Sequence, residues 1–197
     1  MSAADFVDRF MAQVPGLGPE PFSFAAWRHA GRPTNEGVGV LRGVRVDVDK
    51  LVERIMDVGA YQGSIDFVEE SRVLPGPDHK PPGQVAFYQR LKMPVLGALQ
   101  MELVLTDFGE RDGYRILAWH QLDGTRALNP RKGARTDYNL GGWLIKEDAV
   151  GYALSSAPRR DDVGRLKFAA LTKGADAGAA KMVRANIEGV VRWSARS

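Results

Sequence analysis

Cysteine is absent from this 197-residue chain, which excludes disulfides, a thiolate nucleophile and thiolate metal ligation, and leaves the compartment open. Histidine is scarce: His29, His79 and His120 are the whole supply of imidazoles for acid–base or metal chemistry. They share no ligand spacing, so no metal site and no cofactor is expected. No stretch approaches ~18 consecutive apolar residues, so no membrane-spanning helix is predicted. The opening MSAADFVDRFMAQVPG carries acids and lacks an uninterrupted apolar stretch. It does not read as a secretory signal, and a cytoplasmic protein is the expectation. Neither sign of charge dominates: 27 Lys and Arg face 24 Asp and Glu, for a net +3. The densest basic clusters, at 130–135 and 158–160, are flanked by turn residues. They read as solvated loops, with contact to anionic headgroups or nucleic acid as the second reading. No basic run is interleaved with aromatics as single-stranded nucleic acid would require, so no nucleic-acid partner is expected.

What is present is strand, then helix. With 44% apolar and 26% charged residues the composition is that of one globular domain. From 85 to 157 the pattern is nearly continuous β: 85–92, 101–108, 114–122, 136–146 and 152–157, with turns at 109–113, 123–133 and 147–148. A bend is expected at 93–97. One amphipathic helix, 179–196, then closes the chain. Upstream, a helix is predicted over 5–14 with Ser2 as an early cap, then a Pro/Gly break, a strand over 22–30 and a turn at 31–37. A strand over 38–48 follows, in which Val38, Val40, Val44, Val46 and Val48 share a parity. Asp47 or Asp49 caps a helix carrying Leu51 and Ile55, and a strand over 65–74 leads into a proline-rich loop. The expected class is α+β: a curved antiparallel sheet around a long C-terminal helix, with an internal cavity between them.

Candidate ligand-binding residues follow from strand and helix faces. Phe87 and Gln89 share a face, as do Asn139 and Trp143; Leu103 lies on an apolar face opposite Glu102. His120 shares its parity with Tyr114, Ile116 and Ala118; if that face is inward, His120 projects into the cavity, and otherwise it is a rim histidine. On the terminal helix Met182 and Asn186 fall within the apolar stripe, where an amide must find strand backbone, water or a ligand's polar end. Gln89, Tyr114, His120 and Asn139 each also read as ordinary sheet surface, and Met182 as plain core. Gly141-Gly142 sits within a strand and opens no helix, so phosphate-loop readings fail. No nucleophile–base pair is evident, and no catalytic residue is assigned.

The order of elements, together with VRVDVDKLVERIMDVGAYQGSIDFVEESRVL (44–74), FYQRLKMPVLGALQMELVL (87–105), GGWLIKEDAVGYALSS (141–156) and the closing helix, resembles the helix-grip superfamily. That superfamily includes START lipid-transfer domains, plant pathogenesis-related allergens and polyketide cyclases. The resemblance covers 36–197, leaving 1–35 as an N-terminal helix and linker extension. It implies a carrier or sensor of a hydrophobic molecule, such as a lipid or sterol, with transient membrane contact. The rival is a cyclase or hydratase-type enzyme using the same cavity, in which His120 or a tyrosine moves a proton.

Overall fold

Strand alternation decides the architecture. In the computed structural model, which describes residues 2–93, 97–124, 127–173 and 175–195, eight strands form one sheet. They are β1 Phe22–Trp27, β2 Glu36–Arg42, β3 Val68–Val73, β4 Gln84–Met93, β5 Gly97–Arg111, β6 Tyr114–Gln121, β7 Ala134–Lys146 and β8 Ala149–Pro158. Their order is β1-β2-β8-β7-β6-β5-β4-β3. Neighbours pair antiparallel, with a short parallel contact of Leu99 and Gln100 on β5 with Ala134 and Arg135 on β7. The helices are α1 Ala3–Met11, α2 Val48–Met56, α3 Arg160–Val163, α4 Arg165–Lys173 and α5 Ala175–Ser194. This is the expected α+β arrangement of an antiparallel sheet with a long C-terminal helix.

Several boundaries differ from the expectation. The strand predicted over 38–48 stops at Arg42, because Gly43 turns into the left-handed region at φ +71°. Val38 then packs on one side of the sheet and Val46 on the other, so the valine run has no common face. Asp47 is the cap of α2, accepting from the Lys50 amide at 3.0 Å. β5 and β6 run to a two-residue turn, Asp112-Gly113, with both residues at positive φ, inside the segment read as a longer turn. The 93–97 bend joins β4 to β5 with Met93 paired to Gly97; 94–96 lie outside the described residues. Gly174 also lies outside the described residues.

Residues 2–35 contribute a strand and a helix that pack on the sheet. β1 pairs with the whole of β2 through Trp27↔Glu36, covering an edge that would otherwise present unpaired backbone. α1 lies on the sheet. Ser2 and Asp5 form a capping box, and Phe6, Val7, Phe10 and Met11 are buried against Val38, Ile116, Ala118, Leu140, Leu144 and Ala153. Arg9 fastens the helix, donating to both oxygens of the fully buried Glu36 at 2.8 and 2.9 Å, while Trp27 Nε1 donates to the same carboxylate at 3.1 Å.

The sheet therefore has two covered faces. The outer face lies under α1. The inner face lies under α2 and α5, where Val183, Ile187, Val190 and Trp193 meet Leu105, Leu117, Trp119, Trp143, Ile145 and Tyr152 in one cluster. The dipeptide Gly141-Gly142 on β7 serves both faces. A Cβ on Gly141 would sit 1.8 Å from the Trp119 ring on the inner face, and one on Gly142 would sit 2.9 Å from the Phe10 ring of α1. Each glycine lets an aromatic ring approach the strand closely.

Candidate functional site

The inner face holds a polar node within an apolar surround. Trp119 pairs with Gly141 across β6 and β7, and its ring crosses the vacant Cβ position to reach the neighbouring inward residue. There Nε1 donates to Asn139 Oδ1 at 2.7 Å. Indole nitrogen only donates, so this bond fixes which way the amide faces. Asn139 Nδ2 then points to Met101 Sδ at 3.2 Å and Ser156 Oγ at 3.3 Å. The Ser156 hydroxyl donates to Tyr138 O at 3.3 Å. Tyr152 completes the group, its ring centroid 5.6 Å from Trp119 and 4.6 Å from Trp143.

Around the other end of α5 the rings close the interface. Tyr61 packs edge-on to Trp193 at 6.1 Å and to Phe87 at 6.0 Å. The Tyr61 hydroxyl donates to Ile55 O, and Ser71 Oγ donates to Val58 O at 2.6 Å. Burial pushes the Tyr61 and Tyr152 hydroxyls well above the usual phenol range, so both are neutral across physiological pH.

Phe87, Leu103, Asn139 and Trp143 are buried on this inner face, and Gln89 is half-buried on the parity of Phe87 and Leu91. Met182 and Asn186 are half-buried on α5, flanking Val183 and Ile187 rather than lying at the centre of the contact. Among the described residues the Asn186 side chain makes no hydrogen bond.

Tyr114 and His120 are not with them. Ile116 and Ala118, which share their parity, lie beneath α1, and His120 stands opposite Val104 and Leu140, both packed in outer-face clusters. The condition on which His120 was placed inside is thus not met. Burial lowers the His120 pKa, opposed by the charge of Asp123, and its Nδ1 has no partner among the described residues.

Two openings lie on a polar rim rather than between sheet and α5. One of about 290 Å³ is bordered by Glu102, Gln121, Asp123, Arg135 and Arg159; the other, of about 210 Å³, by Arg32, Asp123, Asp137 and Tyr138. Arg135 is committed to Asp162, donating through Nε at 2.8 Å and Nη2 at 2.7 Å and holding that carboxyl down to about 2. At the expected cavity the aromatic side chains themselves occupy the interface.

Sequence reasoning passed over Trp119, Met101, Tyr152 and Ser156 as site residues. The signal was Gly141-Gly142: paired glycines within a strand mark close approach by something large.

No protein-family model matches the sequence, and neither does any curated protein sequence. Solved structures do match in fold. Human StAR-related lipid transfer protein 5 aligns with a TM-score of 0.73 at 9% identity, over 96% of this chain and 93% of that one. A STAR-related lipid transfer protein fragment from Xanthomonas axonopodis aligns with a TM-score of 0.70 at 14% identity, over 91% and 96%. The Zhui aromatase/cyclase from a Streptomyces species aligns with a TM-score of 0.53 at 13% identity, over 87% and 93%. At these identities the likeness is one of architecture: the chain has the START-like helix-grip fold.

Proposed function

We propose that this protein binds a hydrophobic small molecule between α5 and the inner face of the sheet, and carries or senses it without transforming it. One observation carries the reading. The inner face is largely apolar around a node of neutral polar groups, and α5 grips it through Val183, Ile187, Val190 and Trp193. Exchanging one apolar contact for another costs little, because neither state exposes apolar surface to water. A ligand that displaces α5 or the rings beneath it regains about 25 cal/mol per Å² of its own buried apolar area. Phe87, Gln89, Leu103, Asn139 and Trp143 would line the ligand from the sheet, and Met182 and Asn186 from the helix. The fold's lipid-transfer neighbours support the same reading.

Transient contact with an anionic membrane belongs to this proposal. Leu166 on α4 is 88% exposed between the exposed Arg165 and Lys167, near Arg160. No helix among the described residues is long and apolar enough to cross a membrane. We place the protein's action in the cytoplasm, with no nucleic-acid partner.

The likeness to an aromatase/cyclase keeps a cyclase or hydratase as the second reading. Proton transfer inside would fall to Tyr61 or Tyr152, whose buried hydroxyls are poor acids. Native mass spectrometry of the freshly purified protein tests the choice. A co-purifying lipid supports the carrier; turnover of a polyketide substrate, abolished by Tyr152→Phe, would replace it with the enzyme.

A further inference from the structure

We infer that the ligand is an uncharged lipophile bearing an oxygen that accepts a hydrogen bond, an ester, ketone or alcohol, and that Asn139 Nδ2 is its donor. The inference rests on the sheet–helix interior being the ligand site. Trp119 Nε1 takes Asn139 Oδ1 at 2.7 Å, so the amide presents its NH2 group to the interior. That group now faces a thioether at 3.2 Å and a hydroxyl at 3.3 Å. Thioether sulfur is a weak acceptor, so a buried donor is under-used where a ligand oxygen would serve it better.

Charge is the second half of the argument. Asn139, Ser156, Trp119, Tyr152 and Met101 are all neutral, and burial keeps Tyr152 protonated. The Asp107–Arg115 ion pair shares the inner parity, but it is closed on itself and lies four residues along β6 from Trp119. At ~3.3 Å per residue that is roughly 13 Å away. A carboxylate, phosphate or ammonium at the node would leave water and find no counter-charge among those five side chains, whereas an ester or alcohol would lose little. Asn139 also borders the rim opening that carries Arg32, Asp123 and Asp137, but the groups within hydrogen-bond reach of its Nδ2 are the neutral Met101 and Ser156.

The test uses the full chain with methyl oleate, oleic acid and oleylamine in equimolar competition, read by native mass spectrometry at about pH 8. Methyl oleate should occupy the protein at least ~10-fold more than either charged analogue. Lowering the pH to about 5 should raise oleic acid binding, as its carboxyl approaches the carboxylic-acid pKa range, and leave the ester unchanged. Methyl oleate should also exceed 1-octadecene, which has no oxygen, by the ~2–10-fold that one net hydrogen bond supplies. Asn139→Asp keeps an oxygen for Trp119 and removes the donor; it should erase that last preference. Binding of the charged analogues as tightly as the ester, independent of pH, would overturn the inference while leaving the functional reading intact. Binding of none of the lipids would overturn both. If Asn139→Asp does not fold, the comparison of analogues on the unaltered protein decides alone.

Discussion

The two faces of one sheet are held in different ways. The outer face is apolar beneath α1 and is fastened at its margin by charge: a buried carboxylate receives three donors from Arg9 and Trp27. The inner face is held by rings and aliphatic groups, with neutral hydrogen bonds at one node. Directional ionic contacts tolerate little displacement, because each lost partner strands a charge. Apolar contacts slide and exchange at low cost. On the proposed function, the outer layer acts as a clamp and the inner layer is the one that parts for the ligand.

The largest expected effect breaks the clamp. Arg9→Met leaves Glu36 buried without its counter-ion and should cost about 3–5 kcal/mol, read from the denaturant midpoint. Protein that remains folded should keep its lipid affinity, because no inner-face contact is touched. An equal loss of affinity would mean that the faces are not independent.

Gly141→Ala strikes the inner face. Its Cβ would meet the Trp119 ring at 1.8 Å, so the ring must leave and the bond to Asn139 must break. Overpacking of this kind costs about 1–3 kcal/mol. Tryptophan emission should shift with the midpoint, and lipid binding should fall. Unchanged emission would show that β7 moves instead.

A smaller effect is expected from Met182→Trp, at the flank of the α5 contact. Added volume there should weaken lipid binding while the midpoint changes by less than about 1 kcal/mol. A large stability loss with full affinity would place Met182 in solid core.

The smallest belongs to His120→Gln on the outer face, which should leave lipid binding unaltered in an equilibrium titration. Burial lowers the His120 pKa, so the folded state resists protonation. Its contribution is complete above the unfolded pKa of ~6.5 and declines as pH falls below it. The melting temperature of the substituted protein should therefore fall less between pH 8 and pH 5.5. A loss of lipid binding would instead return His120 to the ligand site.

Much of this was legible from particular residues. Ser2 before an apolar stripe announced α1, Asp47 before Leu51 and Ile55 announced α2, and alternation grouped Phe87 with Gln89 and Leu103 with its apolar neighbours. The site was only half legible. Asn139 and Trp143 were chosen on shared parity, and so were Tyr114 and His120, yet the first pair faces α5 and the second lies on the face covered by α1. Trp119 escaped notice because its role depends on a glycine in another strand.

The sequence by itself determined the elements, their order and the two sets of side chains on each strand, because these rest on local periodicity and on caps within a few residues. Only the tertiary structure decided which set faces α5. A period of two is symmetric with respect to the two faces, and when both are covered by helices both carry apolar residues. The choice is made by long-range contacts: Arg9 reaching Glu36, Phe10 resting on Gly142, and Trp119 resting on Gly141.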